Sequence, residues 1–139
     1  MDDKFDAVRT HLVEIGVEII KEDAEEKLFV VRDEERGISG LIVDCEDDVL
    51  VIEQAIFKLN SIPAELSIRL LKMNRELVHG AYALDETGTQ VLFRDTLLLQ
   101  DLDRSELEAT INALELGLAQ HGSELLKFVE SDKQNVVGE

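Results

Sequence analysis

Apolar residues near the start of the chain recur at helical spacing. Phe5, Val8 and Leu12 are separated by three or four residues, which places them on one face of a helix. Gly16 follows them, and glycine often ends a helix because it adopts the left-handed backbone conformation without strain. The pattern therefore predicts a helix over residues 3–15.

The next part of the chain is rich in β-branched residues that alternate with polar ones. This alternation predicts three strands, at residues 28–32, 38–44 and 49–57, and residues 17–20 predict either a short strand or an extended lead-in. Only short links join these segments, whereas parallel strands need much longer crossovers. An antiparallel meander is therefore expected.

A second helix is predicted over residues 63–77, where Pro63 suits the first helical turn. Its apolar residues form a candidate dimer or partner surface, with Leu66, Leu70 and Met73 on one face and Ile68 and Leu71 on another. One of these faces can cover the sheet, and the other then needs a cover of its own. A two-fold contact between identical chains supplies such a cover, so we expect a homodimer.

The rest of the chain predicts a hairpin, a helix and a tail. The hairpin strands are expected at residues 79–84 and 90–99. The last helix is expected to begin near Asp103, because Glu106 lies three residues on and can complete a capping box. Residues 131–139 are expected to form a flexible tail.

These elements together predict an α+β fold. An antiparallel sheet would pack with helices in the order α-β-β-β-α-β-β-α, or with a fourth strand before the second helix if residues 17–20 pair. The chain has 139 residues, of which 45% are hydrophobic, so it can bury a core of its own. We expect a single domain over residues 1–139.

The charge of the chain excludes several classes of partner. Acidic residues outnumber basic ones by 31 to 14, which gives a net charge of −17. This charge repels nucleic-acid phosphates and anionic lipid headgroups. No apolar run approaches the roughly 18 residues that indicate a membrane span. Cys45 is the single cysteine, which suits a reducing cytoplasm, so we expect a cytoplasmic protein without nucleic-acid or membrane partners.

Residues that could carry out chemistry are few and scattered. The histidines are His11, His79 and His121, and none of them has metal-ligand spacing to another or to Cys45. Cys45 has acidic residues on both sides, and their charge opposes a reactive thiolate. Carboxylates are too numerous for any one pair to indicate a hydrolase. We therefore expect no catalytic residues, no metal site and no cofactor.

Two charges interrupt an otherwise apolar segment. Strand alternation places Leu92 and Arg94 on one face and Phe93 and Asp95 on the other. Either charge could anchor a ligand. The preferred interpretation is an edge-strand pair whose charges are satisfied by neighbouring residues, because buried charges need partners in any fold.

Three segments carry a resemblance to a known family. Residues 74–85 contain His-Gly-Ala-Tyr-Ala-Leu-Asp, residues 91–97 contain Phe-Arg-Asp-Thr-Leu, and residues 102–107 read Leu-Asp-Arg-Ser-Glu-Leu. In these motifs the chain resembles the YbjN family, which shares its fold with the class I type III secretion chaperones. The resemblance extends over nearly the whole chain and is strongest over residues 74–118.

The resemblance implies a homodimer without enzymatic activity. Type III secretion chaperones bind an extended segment of an effector along an outer surface. The leading hypothesis is therefore a chaperone-like or adaptor protein that binds an extended segment of an unidentified protein, with a sheet edge that can add a strand. The alternative is a sensory or regulatory domain that binds a small molecule in a cleft between sheet and helices.

Overall fold

The computed structural model describes residues 3–137, and this part of the chain contains three helices and six strands. In chain order they are α1 (Asp3–Ile15), β1 (Glu18–Asp23), β2 (Leu28–Asp33), β3 (Ile38–Glu46), β4 (Val49–Lys58), α2 (Ala64–Asn74), β5 (Ala81–Leu84), β6 (Gln90–Leu98) and α3 (Arg104–Val137). The predicted α+β class is confirmed, and α1 has the predicted bounds.

Four strands, rather than three, precede α2. The additional strand is β1, which pairs with β2 from Glu18 to Asp23 and has a bulge between Ile19 and Lys21. Ile19 lies opposite Val31 and packs against the core. The bulge breaks the alternation of apolar and polar residues, so the sequence alone does not distinguish this strand from an extended lead-in.

All six strands form one antiparallel sheet in the order β1-β2-β3-β4-β6-β5. Short links connect β1 to β4 as a meander, which was predicted for β2 to β4. After α2, the chain forms the outermost strand β5 and then returns as β6 beside β4. The second hairpin therefore extends the same sheet, with its later strand on the inside.

The three helices pack against one face of the sheet. A larger core joins α1 and α3 to the central strands, and its fully buried members include Leu12, Phe29, Leu41, Ile52, Phe93 and Ile111. A smaller core joins α2 and α3 to the β5 side of the sheet through Leu66, Leu70, Met73, Tyr82, Val91 and Leu125. Each such apolar side chain stabilises the fold by about 1.5–3 kcal/mol, so the helices are held firmly to this face.

A reciprocal capping box begins α3. The Glu106 backbone N–H donates to Asp103 Oδ1 at 2.9 Å, and the Asp103 backbone N–H donates to Glu106 Oε1 at 3.3 Å. This confirms the helix start predicted near Asp103. Although α3 is long, none of the helices within residues 3–137 is long and apolar enough to cross a membrane.

The predicted tail is helical as far as Val137, and residues 138–139 lie outside the described part of the chain. The Asp132 carboxylate accepts hydrogen bonds from the Asn60 backbone N–H and from Asn60 Nδ2, each at 3.1 Å. This contact holds the end of α3 to the link between β4 and α2. Sequence pattern does not reveal it, because residues 131–134 include no apolar residue that would extend a helical stripe.

Candidate protein-binding surface

The face of the sheet opposite the helices is not covered by any element within residues 3–137. Phe29 and Val31 are buried beneath the helices, so strand alternation turns Leu28 and Val30 to the other side. We call this side the open face, and its apolar side chains include Leu28, Val30, Ile42, Val49, Val51 and Leu98. Its most exposed large residue, Leu98, is 70% accessible to solvent. A contiguous apolar surface of this kind marks a site of protein interaction.

Two cross-strand ion pairs lie on the open face. Arg94 of β6 pairs with Glu53 of β4, and the two residues lie directly opposite each other in the sheet. Near the other edge, Arg32 of β2 pairs with Glu18 of β1 at 3.0 Å. These cross-strand ion pairs let charged residues lie beside apolar ones without a bound partner.

Asp44 and Glu46 are different, because they face each other's negative charge. They lie two residues apart on β3, and Asp44 is opposite Leu28 on one side and Val51 on the other. Burial is the largest influence on the Asp44 carboxyl, followed by its hydrogen bond with Glu46, the charge of Glu46 and the charge of Glu26. Together they raise the pKa of Asp44 to about 6. Asp44 therefore binds a proton at a much higher pH than an ordinary aspartate does.

The structure divides the five candidate residues of α2 into two sets. Leu66, Leu70 and Met73 are buried in the smaller core, so they are not available to a partner. Ile68 and Leu71 are 54% and 70% exposed on the outer side of the helix. Ile68 and Leu71 are therefore the two of these five residues that remain accessible to a second chain.

One edge of the sheet is blocked by a side chain. Asn74, at the end of α2, donates from Nδ2 to the Tyr82 carbonyl oxygen at 3.1 Å and accepts from the Tyr82 N–H through Oδ1 at 2.7 Å. Its amide thus binds β5 as the backbone of a further strand would. The opposite edge is β1, which has a neighbouring strand on one side only.

A buried polar pair links β5 to α3. Tyr82 Oη lies 2.9 Å from His121 Nδ1, and His121 Nε2 lies 3.5 Å from Glu76 Oε1. Burial, with a smaller effect from the charge of Glu76, raises the pKa of Tyr82 to about 12. The phenol is therefore protonated at neutral pH. Both rings are buried, so the pair is an internal link rather than a site open to a ligand.

The other residues with reactive or metal-binding side chains lie apart. His11 Nε2 is 3.1 Å from the Leu102 carbonyl oxygen, His79 is exposed, and Cys45 is buried in the larger core. Within the described residues, no group of three or more His, Cys, Asp and Glu side chains could hold a metal ion. The fold does not bring the histidines and the cysteine together.

Arg94 and Asp95 contact different partners on the two faces of β6. Arg94 pairs with Glu53 on the open face, while Asp95 Oδ2 accepts a hydrogen bond from Thr110 Oγ1 of α3 at 2.7 Å. The predicted alternation is confirmed, and neighbouring residues satisfy both charges. The edge-strand part of the prediction is wrong for Arg94, which β5 pairs with. Asp95 lies beyond the end of that pairing, where β6 has only β4 beside it.

The space between the sheet and the helices is filled by the two cores. One depression, of about 320 Å³, lies between α1 and the link from β6 to α3. Another, of about 440 Å³, lies between the segment after α2 and the middle of α3. Leu77, Val78, Leu116 and Gly117 are among the residues that line it. It therefore differs in position from the cleft between sheet and helices that the small-molecule hypothesis requires.

Solved structures share this fold. YbjN from E. coli, which has been suggested to be a transcription regulator, matches with a TM-score of 0.65 at 12% identity, over 86% of this chain and 92% of YbjN. The Yersinia pestis type III secretion chaperone SycH, solved in complex with a stable fragment of YscM2, matches with a TM-score of 0.58 at 15% identity. That match covers 84% of this chain and 98% of SycH. At such identities the likeness shows the fold alone.

Sequence comparison defines the family. No curated protein matches the chain. The sequence model of CesT_Tir_1, a family of type III secretion chaperones, matches residues 1–131, which is nearly the whole length. These matches indicate a protein-binding, chaperone-like role rather than an enzymatic one. The chain therefore belongs to the CesT_Tir_1 family of type III secretion chaperones.

Proposed function

We propose that this protein is a homodimeric, non-enzymatic chaperone or adaptor that binds an extended segment of another protein. The observation that carries the proposal is the open face, where Ile42 and Leu98 are exposed and the other apolar side chains are half-buried. Family membership supports it, since SycH was solved with a fragment of a second protein bound.

The open face suits a segment in extended conformation. Ile42 lies opposite Val30, and Val49 lies opposite Leu98, so apolar side chains form adjacent pairs across the strands. An extended segment presents every second side chain to such a surface. Alternating apolar residues of the partner would therefore find apolar neighbours, while the intervening residues would face solvent.

Main-chain pairing would add affinity at one edge of the sheet. At β5 the Asn74 amide already occupies the Tyr82 backbone groups, so we assign strand addition to β1. This edge runs from Glu18 to Asp23 and lies next to Val30 on the open face. A segment paired with β1 can continue directly over that face.

The exposed side of α2 is assigned to the dimer contact. Ile68 and Leu71 are the two large apolar residues that this helix leaves in solvent. An isologous contact would bring each helix against its copy and cover both residues. The dimer and the partner would then use different surfaces.

Capture of partners from the native cell, followed by calorimetry with overlapping peptides of each partner, tests the proposal. We expect one peptide to bind at micromolar concentration, and replacement of Ile42 and Leu98 together by serine to weaken its binding at least tenfold, because apolar anchors supply most interface energy. Val13→Ser is the matched control, since Val13 is similarly exposed, at 63%, but lies on α1.

The two possible failures have different meanings. If only the intact folded partner binds and no peptide does, the protein recognises a folded surface rather than an extended segment. If the Val13 variant loses as much affinity as the open-face variant, the binding surface has been assigned wrongly.

A further inference from the structure

Asp44 and Glu46 on the open face place two like charges side by side. The acidic residues Glu53 and Glu18 each have an arginine on a neighbouring strand. Asp44 instead shares a hydrogen bond with Glu46, and the further charge that acts on it is that of Glu26. The open face therefore has an apolar surface with a localised negative site.

Any partner that covers the open face would also cover this negative site. Asp44 lies between Leu28 and Val51, and Glu46 lies opposite Val49. A segment that contacts these three apolar residues also removes water from the carboxyls between them. Burial of uncompensated carboxylates is strongly unfavourable, so the partner must supply a positive charge or the site must take up protons.

We infer that the open face binds an extended segment in which apolar side chains flank a lysine or arginine, and that this cation pairs with Asp44 and Glu46. The inference rests on the proposed function and specifies the chemistry of the partner at that surface. A guanidinium can contact both carboxyls with paired N–H donors, so arginine is the better match. A second copy of the chain does not fit here, because two apposed open faces would bring both acidic pairs into one interface.

Proton release is a consequence of this mode of binding. The charged groups near Asp44 include Glu46 on β3, Glu26 and Lys27 in the turn before β2, and Lys21 and Asp23 on β1. Lys4 of α1 lines a depression with Lys27 and Glu46. On the β4 side its neighbour is Val51, which does not titrate. The pKa of Asp44 is raised to about 6 in the free protein, and a bound cation lowers it again. Affinity for a basic segment should therefore rise as the pH increases from about 5 to about 7.5.

Peptide selection provides a test that needs no identified partner. A displayed library of random 12-residue peptides (about 40 Å when extended) is selected on the full-length protein. Peptides that also bind the Ile42→Ser, Leu98→Ser double variant are discarded. We expect the remaining sequences to have apolar residues at alternate positions around a lysine or arginine.

Calorimetry then compares the best peptide with a version whose basic residue is replaced by glutamine. At pH ~7.5 the basic peptide should bind about tenfold more tightly, and Asp44→Asn should remove that difference. Titration near pH 6 in buffers of different ionisation enthalpy should show proton release. Asp48→Asn is the control, because it removes an exposed turn carboxylate at the same end of the sheet.

The outcomes separate this inference from the proposed function. Selected peptides that need the open face but lack a basic residue, or equal affinity for the glutamine version, overturn the inference alone. Proton uptake on binding also overturns it, since uptake means that the carboxyls are neutralised by protonation. If no peptide depends on the open face, both proposals fail.

Discussion

Asp44 shows how one residue can link the stability of the protein to pH. Its pKa of about 6 lies above the ordinary value of 3.8, so the folded state binds the proton more tightly than the unfolded state. The resulting stabilisation is fully present below the ordinary pKa and is lost as the pH rises through about 6. At neutral pH the ionised carboxylate therefore opposes folding.

Asp44→Asn is expected to stabilise the protein at pH 7.5 by about 1 kcal/mol, a value reduced for solvent screening. At pH ~4.5 the gain should be much smaller, because the wild-type carboxyl is then mostly protonated. Urea denaturation at both pH values measures the difference. Asp48→Asn controls for the general benefit of removing one negative charge, and an equal gain from both variants at neutral pH would contradict the argument.

Two glycines of α3 differ in the space around their Cα atoms. A Cβ at Gly117 would lie 2.8 Å from Leu77 Cδ2 and 3.0 Å from Tyr82 Oη, whereas one at Gly122 would meet no atom within 4 Å. The sequence shows that both glycines weaken the helix. It does not show which of them permits close packing, because the contacts come from β5 and from the segment after α2.

Gly122→Ala should therefore stabilise the protein by up to about 1 kcal/mol through helix propensity. Gly117→Ala should destabilise it by about 1–2 kcal/mol, because overpacking outweighs the same gain in propensity. Thermal unfolding of the two variants in parallel checks the opposite signs. A stabilised Gly117 variant would mean that Leu77 and Tyr82 move aside easily.

Among the secondary-structure elements, α2 shows best which structural features the spacing of apolar residues predicts and which it does not. Its two apolar faces are visible in the spacing, and the structure buries one and exposes the other as expected. The pattern does not reveal which face is buried, since both consist of similar aliphatic residues. That choice depends on Tyr82, Val91 and Leu125, which lie far along the chain.

The exposed face of α2 leads to a test of the dimer. Replacement of Ile68 and Leu71 by glutamate should convert the proposed dimer into a monomer of about 15.6 kDa without unfolding it, because neither residue packs in a core. Light scattering at micromolar concentration measures the mass, and circular dichroism checks the fold. Val13→Glu is the control. A wild-type protein that is already monomeric would disprove the assignment.

The strand pairing was only partly accessible from sequence. Short links predicted the meander from β2 to β4, because they leave no room for crossovers. The insertion of β6 between β4 and β5 could not be predicted in this way, since it depends on contacts between Val49–Lys58 and Gln90–Leu98 rather than on local pattern. The edge position predicted for Arg94 was wrong for the same reason, since β5 pairs with β6 as far as this residue.

At the scale of the whole molecule, the open face is the feature that sequence describes least well. Val30 and Val31, or Leu92 and Phe93, are adjacent apolar residues that point to opposite faces. The strands therefore appear apolar on both sides, as buried strands do. The position of the three helices on one face decides which side is left uncovered.

The net charge of −17 predicts how binding should respond to salt. For a basic peptide, a rise in salt from about 0.05 M to about 0.3 M should lower the association rate severalfold, since screening removes long-range attraction. The dissociation rate should change less, because apolar contacts hold the complex. Stopped-flow fluorescence separates the two rates, and an effect confined to dissociation would contradict this view.

The Asn74 amide limits what the sheet can build with other copies of itself. A chain of sheets joined edge to edge grows only if each unit has two edges that accept a strand. Here the Tyr82 backbone groups are already bound, so growth at β5 is stopped. Edge pairing through β1 alone would then join β1 to β1 and end at two units. A single side chain thus acts as a chain terminator, and Asn74→Ala should favour fibres over closed dimers in concentrated solution.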